Sequence, residues 1–428
     1  MKLTIEKAIY GGAGLAHEAG MAVFVPFTLP GETVEARLTG GAATFGNAEL
    51  IEVLEASPAR VAARCAHFGA CGGCQYQHSD YATQVAMKVE ILRETLERAG
   101  LSELPEIQPH AAEAWGYRNR IRLRVGVVDG ELRIGYNRRG SNEMLPIREC
   151  PIAAPLLLKA AEAVLRVATE VSAVGVWIRE VAEIEIFANG DGSALQMTFF
   201  VRNGKAVIFR SFAGFCDRLK EIVPELSGAE VSLQAATGRK AKQGVAWGTA
   251  GLKYRVADKE YWVSRGGFFQ VNRFLVEELV RLVTAGRGGA LAWDLYAGVG
   301  LFSRVLADSF AAVVGVETVA GDLATVLKGK GRLAVGATTA EFLRGAIIQR
   351  ERPDLIVMDP PRAGLGTEVC ELLARVKARE MVYVSCDPTT LARDLNAMVD
   401  SGYTVKEVHM VDLFPQTFHL ETVVVLNR

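Results

Sequence analysis

The stretch Leu291–Gly300 reads L-A-W-D-L-Y-A-G-V-G. An apolar run ends in Asp294, and the glycines that follow open a helix. This is a nucleotide-type turn, in which glycine lets the backbone approach a ligand at a helix N-terminus. The next apolar run, A-A-V-V-G-V-E, ends in Glu317, about 20 residues beyond the loop, where a carboxylate can take both hydroxyls of a ribose. A dinucleotide-binding turn would read G-x-G-x-x-G. Without that pattern, and with the acid in place, the pair fits an adenosyl cofactor that lacks a pyrophosphate, S-adenosylmethionine. A third run, D-L-I-V-M, delivers Asp359-Pro360-Pro361-Arg362. Methyltransferases acting on adenine N6 place an aromatic residue after the two prolines to stack a flipped base, and Arg362 at that place argues against that chemistry.

A fourth run, V-Y-V-S-C-D-P-T-T over Val382–Thr390, reads as a strand entering a turn that lifts one thiol, Cys386, out of its carboxyl end. Open α/β sheets keep their ligands there. A lone cysteine is more often core. Cys386, however, lies outside the apolar run, and Asp387, Pro388 and two threonines follow it, which is turn and helix-cap chemistry. A nucleophilic thiol is expected. Regular strand–helix alternation starts at about residue 251, so 251–428 is expected to form a Rossmann-like α/β domain.

The whole chain has 428 residues, 50% hydrophobic and 23% charged, ordinary for soluble protein of several domains. No charge-free apolar run approaches ~20 residues, and the amino end, M-K-L-T-I-E-K, carries acids close behind it. Neither a membrane span nor a signal peptide is expected, and the location expected is the cytoplasm. The net charge of −1 does not announce a nucleic-acid partner, so such a partner must be read from local patches.

Residues 1–57 hold short apolar runs separated by glycine turns such as Gly11-Gly12 and Gly40-Gly41, a spacing that suits a small β-barrel. Acids outnumber bases there, so RNA binding through this module alone is doubtful, and a structural role is as good a reading. Residues 65–78 read C-A-H-F-G-A-C-G-G-C-Q-Y-Q-H. Cys65, Cys71 and Cys74 have the spacing of thiolate clusters that hold iron–sulfur groups or zinc, and Cys150 in R-E-C-P is the natural fourth ligand. Four ligands imply a closed, structural cluster. An amphipathic helix follows from Tyr81 to about Gly100. In W-G-Y-R-N-R-I-R-L-R-V-G, Arg118, Arg120, Arg122 and Arg124 fall on one face of a strand. From Ala114 to Arg148 there are eight arginines and three acids, and phosphates are the obvious anions to meet them. Arg239, Lys240 and Lys242 form a second basic stretch.

Together these residues resemble the RNA uracil-5-methyltransferase family, most closely its iron–sulfur branch, the 23S ribosomal RNA 5-methyluridine methyltransferases. The resemblance covers nearly the whole chain. Its signature pieces stand as F-F-Q-V-N (268–272), D-L-Y-A-G-V-G (294–300), G-V-E (315–317), D-P-P-R-A-G (359–364), S-C-D-P-T-T-L-A-R-D-L (385–395) and F-P-Q-T-F-H-L-E-T-V-V-V-L (414–426). It implies three domains: a TRAM-like β-barrel at 1–57, a central α+β domain at 58–250 with a four-cysteine iron–sulfur site, and a Rossmann-like S-adenosylmethionine-dependent catalytic domain at 251–428.

By the same resemblance, Cys386 is the nucleophile that adds to carbon 6 of uracil, and Glu421 the base that removes the proton from carbon 5. Gln270, Tyr296, Glu317 and Asp359 contact the cofactor, Phe268 or Phe269 stacks on the target base, and Cys65, Cys71, Cys74 and Cys150 hold a [4Fe-4S] cluster. The partner implied is 23S ribosomal RNA, ahead of the T-loop uridine of transfer RNA, with no membrane and a monomeric chain. The alternative from another class is a non-catalytic iron–sulfur RNA-binding protein. The chain departs from the family in several places: Asp387 stands where Asn is frequent, Gln416 where His is, and Phe418 where Gly is.

Overall fold

Along Met21–Pro26, buried Val23 and Val25 alternate with partly exposed neighbours, the period of a strand with one face in a core. Such strands form a six-stranded sheet in the order Lys2–Thr4, Thr33–Gly41, Phe45–Glu55, Met21–Pro26, Ala13–Glu18, Lys7–Ala8. The short stretch 2–8 pairs at both edges, with Thr33–Glu35 on one side and Gly14–Leu15 on the other. One piece of chain thus closes the sheet on itself, which removes the exposed edges. Leu3, Ile5, Val23, Val25 and Val34 fill its core.

The structure is a computed structural model and describes residues 1–101, 103–170, 178–201, 211–233 and 242–428. Arg239 and Lys240 of the second basic stretch lie outside the described residues. The chain divides into two compact units: one holds Met1–Ala114, Gly289–Leu295 and Thr338–Arg428, the other Trp115–Gly288 and Tyr296–Ala337.

Besides the closed sheet, the first unit holds strands in the order Gly289–Leu295, Leu355–Met358, Glu380–Ser385, Glu421–Asn427, Thr404–Val411, Ile107–His110. The first three run parallel, and Glu421–Asn427 is antiparallel to both its neighbours. Leu355–Met358 is buried along its whole length, as expected of a strand covered on both faces. The helices Thr339–Gln349, Gly366–Val376, Pro388–Asp400 and Tyr81–Arg98 pack side by side in that order.

The second unit holds a seven-stranded sheet: Met144–Pro146, Glu131–Asn137, Arg120–Val128, Val181–Ala188, Leu195–Val201, Leu226–Leu233, Lys242–Gly248. The helices Pro155–Glu170 and Phe212–Ile222 contribute Leu157, Val164, Phe215 and Leu219 to its core. It also contains the parallel pair Phe310–Glu317 and Arg332–Gly336. Among the described residues no helix is long and apolar enough to cross a membrane.

The arginine strand supplies part of its own charge balance. Ile121, Leu123 and Val125 are buried as the alternation requires, and two of the four arginines meet carboxylates of the protein. Arg120 pairs with Glu185 at 3.1 Å and Arg122 with Glu183 at 2.7 Å, diagonal partners on the adjacent strand Val181–Ala188. Arg124 donates to Asn137 Oδ1 at 3.0 Å. Diagonal neighbours in a sheet are within reach of long side chains, so Arg120 and Arg122 have counter-ions within the protein, whereas Arg124 meets a neutral amide.

Candidate active site

Cys386 lies one residue beyond the strand Glu380–Ser385 and two before the helix Pro388–Asp400. The helix starts where it does because Asp387 caps it. Its Oδ1 accepts the Thr389 and Thr390 amides at 3.0 and 3.1 Å, and Pro388 fills the first position, where no amide is missed. Across the ladder, Ser385 pairs with Thr422. Continued by one residue, this antiparallel register sets Cys386 opposite Glu421, which opens the strand Glu421–Asn427. Side chains facing each other in this way have Cβ atoms about 5 Å apart.

The surroundings hold more negative groups than positive ones. Burial pushes the Cys386 thiol up to about 12; Glu421 and Asp359 push the same way, Arg362 opposes, and Asp387 adds a smaller push. Asp359, which follows the strand Leu355–Met358, is raised to about 7 by burial and by Asp294. Glu421 is only 4% exposed. Burial and Asp359 hold its carboxyl well above the usual range, against Arg362. A base of raised pKa is the right kind to take a proton from carbon. It also bears on stability: a carboxyl whose folded pKa lies above its unfolded value stabilises at low pH, and that contribution is lost as pH rises through the folded pKa. Glu421→Gln should therefore raise the melting temperature relative to the parent at pH 8 and leave it little changed at pH 4.

Tyr10, from the amino-terminal closed sheet, also reaches this site and was not singled out in the sequence. Its hydroxyl is 3.4 Å from Asp387 Oδ2, and its ring meets Phe418 edge-on at 5.4 Å between centroids. The turn that brings it there needs glycine. Gly12 has φ +89°, and a Cβ on it would stand 2.9 Å from Gln75 Cβ. The only local signal was a tyrosine beside a Gly-Gly turn.

In the second unit, the turn after Leu295 has the conformation that glycines supply. Gly298 and Gly300 have φ of 56° and 85°, and Tyr296 itself stands at 62°, which is costly for a residue with a side chain. A Cβ on Gly300 would lie 2.5 Å from Val326 Cγ2. The Glu317 carboxylate holds the turn, accepting Gly298 N–H at 3.1 Å and Thr318 Oγ1–H at 2.7 Å. A glycine turn tied to a strand-end acid is a donor set that suits an adenosyl group. Gln270 is buried, and its carbonyl accepts Asn119 Nδ2–H at 3.0 Å. Of the two phenylalanines, Phe269 is buried with its ring 4.1 Å from that of Tyr254, whereas Phe268 is 66% exposed. Only Phe268 is available to stack on a base.

Cys65, Cys71 and Cys74 lie in the first unit and Cys150 in the second. Among the described residues no group of three or more His, Cys, Asp or Glu side chains is placed to hold a metal ion. Cys65 and Cys71 are near enough for one to raise the thiol pKa of the other, and Gly73 N–H donates to Cys71 Sγ at 3.4 Å. Cys150 packs against the hydrophobic core of the seven-stranded sheet, with Tyr136 Oη 3.8 Å from its sulfur.

Taken as a class, the chain is an S-adenosylmethionine-dependent methyltransferase of α/β fold. A solved protein, the Pyrococcus abyssi tRNA (uracil-54, C5)-methyltransferase in complex with S-adenosyl-L-homocysteine, superposes with a TM-score of 0.76 over 100% of both chains. At 22% identity that likeness is one of fold. Residues 336–428 match the family model described as tRNA (Uracil-5-)-methyltransferase. The 23S rRNA (uracil(1939)-C(5))-methyltransferase RlmD of Chromohalobacter salexigens is 32% identical over 100% of this chain and 89% of its own. RlmD of Pseudomonas aeruginosa is 33% identical over 98% and 92%. An uncharacterized RNA methyltransferase of Halalkalibacterium halodurans is 30% identical over 100% and 96%. The chain belongs to the RNA uracil-5-methyltransferase family.

Proposed function

We propose that this protein methylates carbon 5 of a uridine in 23S ribosomal RNA, with Cys386 as nucleophile and Glu421 as base. The pairing of Ser385 with Thr422, which continued by one residue faces Cys386 with Glu421 at the carboxyl end of the strand Glu380–Ser385, is the observation that supports the reading. Carbon 5 of uracil is too weak a nucleophile to accept a methyl group unaided. The Cys386 thiolate forms a bond to carbon 6, and the electron pair of the 5,6 double bond moves onto the ring as an enolate. S-adenosylmethionine, when bound, supplies the methyl group as an activated sulfonium and leaves as the neutral thioether. The Glu421 carboxylate then takes the proton from carbon 5. That C–H pair re-forms the double bond, and the sulfur departs from carbon 6 as thiolate. Phe268 stacks on the flipped base, and Asp359, whose carboxyl burial holds above its usual range, faces the pyrimidine edge and the cofactor. Gln270, Tyr296 and Glu317 hold the cofactor.

The addition step needs the thiolate, so the single-turnover rate should climb with pH from 7 to 9. Asp387→Asn keeps an N-cap but removes a negative charge beside the sulfur. It should move this rise to lower pH by roughly half a unit, and a rise unchanged in position would contradict the electrostatic account.

Ribosomal RNA is favoured over transfer RNA as substrate by the full-length relatives at 32% and 33% identity. Labelled methyl transfer to unmodified 23S transcript and to unmodified transfer RNA, side by side, tests this. Label on 23S alone, recovered as 5-methyluridine, is expected. Label on transfer RNA alone would overturn the substrate, and label on neither would overturn the reaction. An iron–sulfur cluster on Cys65, Cys71, Cys74 and Cys150 remains a proposal on sequence spacing. Iron and acid-labile sulfide measured after oxygen-free purification test it, and no catalytic step depends on it.

A further inference from the structure

Between the paired residues Val411 and Glu421 the chain makes a closed loop, and Gln416 sits midway along it with φ +68°. A backbone bent into that region is costly for a residue other than glycine and persists only where its surroundings fix it. Here they do. The Gln416 carbonyl accepts the amides of Gln75 and Tyr76 at 2.9 and 3.0 Å. Its own amide donates to Gln84 Oε1 at 3.0 Å, and its side-chain Oε1 accepts Gln84 Nε2–H at 3.1 Å. Gln84 also donates to the Ser79 carbonyl at 2.9 Å. Both glutamines are buried, at 0% and 2% exposure. One turn further along the same helix, Tyr81–Arg98, Lys88 reaches the start of the loop, binding Asp412 at 2.6 Å and the Phe414 carbonyl at 3.0 Å. Residues four apart on a helix share a face, so one helical face pins the loop at its start and at its apex.

We propose that Gln84 and Gln416 are positioning residues for Glu421, acting at the step that removes the proton from carbon 5. The inference rests on the reading of Glu421 as base. The loop delivers two things to the site, Glu421 at its end and Phe418 against Tyr10. Cys386 stands on a separate strand and turn, outside the loop. Loosening Gln416 should therefore leave thiol addition and methyl transfer largely intact and slow the last step. A base displaced by even ~1 Å loses most of its efficiency. The chemistry makes this visible. While the proton stays on carbon 5, the methylated base remains bound through carbon 6 to Cys386, and the RNA stays covalently attached. A merely structural role would lower all steps together and accumulate nothing.

The test uses RNA with tritium on carbon 5 of uracil, in single turnover with the full-length protein. It follows adduct on a denaturing gel, tritium released to water, and methyl transferred. Glu421→Gln is the control. Gln84→Ala should bring adduct up several-fold over the parent and slow tritium release, at near-parental methyl transfer. Gln416→Gly suits the positive φ and keeps the backbone bonds; it serves as the second variant should Gln84→Ala fail to fold, and should also accumulate adduct. If Glu421→Gln traps adduct and the folded Gln84 or Gln416 variant does not, the positioning inference is wrong. If Glu421→Gln traps none, the reading of the base fails instead.

Discussion

Replacing Cys386 with alanine should abolish 5-methyluridine formation, with a loss on the order of 10⁵-fold or more, as removal of a covalent nucleophile generally does. No other group described at this site can supply the missing bond to carbon 6. Burial holds both Asp359 and Glu421 above the usual carboxylate range, with Asp294 adding to it for Asp359 and Asp359 for Glu421, and an oxygen nucleophile of that kind would not generate the enolate. Affinity for S-adenosylmethionine, measured by calorimetry, should be unchanged, because the glycine turn and Glu317, proposed to hold it, lie on other elements. Label incorporation by Cys386→Ala at even a tenth of the parental rate would mean that the thiol is not the nucleophile.

The second large effect is on stability. Lys88 and Asp412 form an ion pair with both side chains wholly buried, 2.6 Å apart. Burial lowers the Lys88 pKa, and the Asp412 carboxylate opposes that. Lys88→Met would take the cation away from the buried Asp412 carboxylate and should cost about 3–5 kcal/mol. Two apolar side chains in place of the pair, Lys88→Met with Asp412→Leu, should recover most of that loss. Urea denaturation of the two variants reads the difference, and a single variant as stable as the parent would show that the pair is solvated rather than buried.

Several parts of this site could be read directly from the chain. The apolar run Val382–Val384 with Asp387-Pro388 after it marks a strand, a turn and a capped helix, and Asp387 is found capping the helix Pro388–Asp400. The glycine turn at 298–300 and the acid at 317 are found tied to one another. What could not be read depends on pairing between distant stretches. Nothing in 385–390 says that residue 421 lies opposite. That follows from strand register, which hydrophobic patterning leaves open until the neighbour is known.

The arginines at 120 and 122 were read as waiting for phosphate because their counter-ions, Glu183 and Glu185, lie on a strand far along the chain. Gln416 illustrates the same limit from the other side. It looked like a departure from the family pattern, yet Gln84, Gln75 and Tyr76 saturate it from a helix and a loop more than 300 residues away. Cys150 has the local signature of a cluster ligand, and its partly buried side chain also packs against a core that the R-E-C-P tetrapeptide does not reveal.

The central claim is that Cys386 and Glu421 act in succession on one uracil. The most direct measurement is to incubate Glu421→Gln with unmodified 23S transcript and S-adenosylmethionine, isolate the species retarded on a denaturing gel, digest it, and find the cross-linked residue by mass spectrometry. The account predicts one adduct, joined through Cys386, whose uracil already carries the new methyl group. An adduct through another residue, or turnover at the parental rate with no adduct, would contradict it.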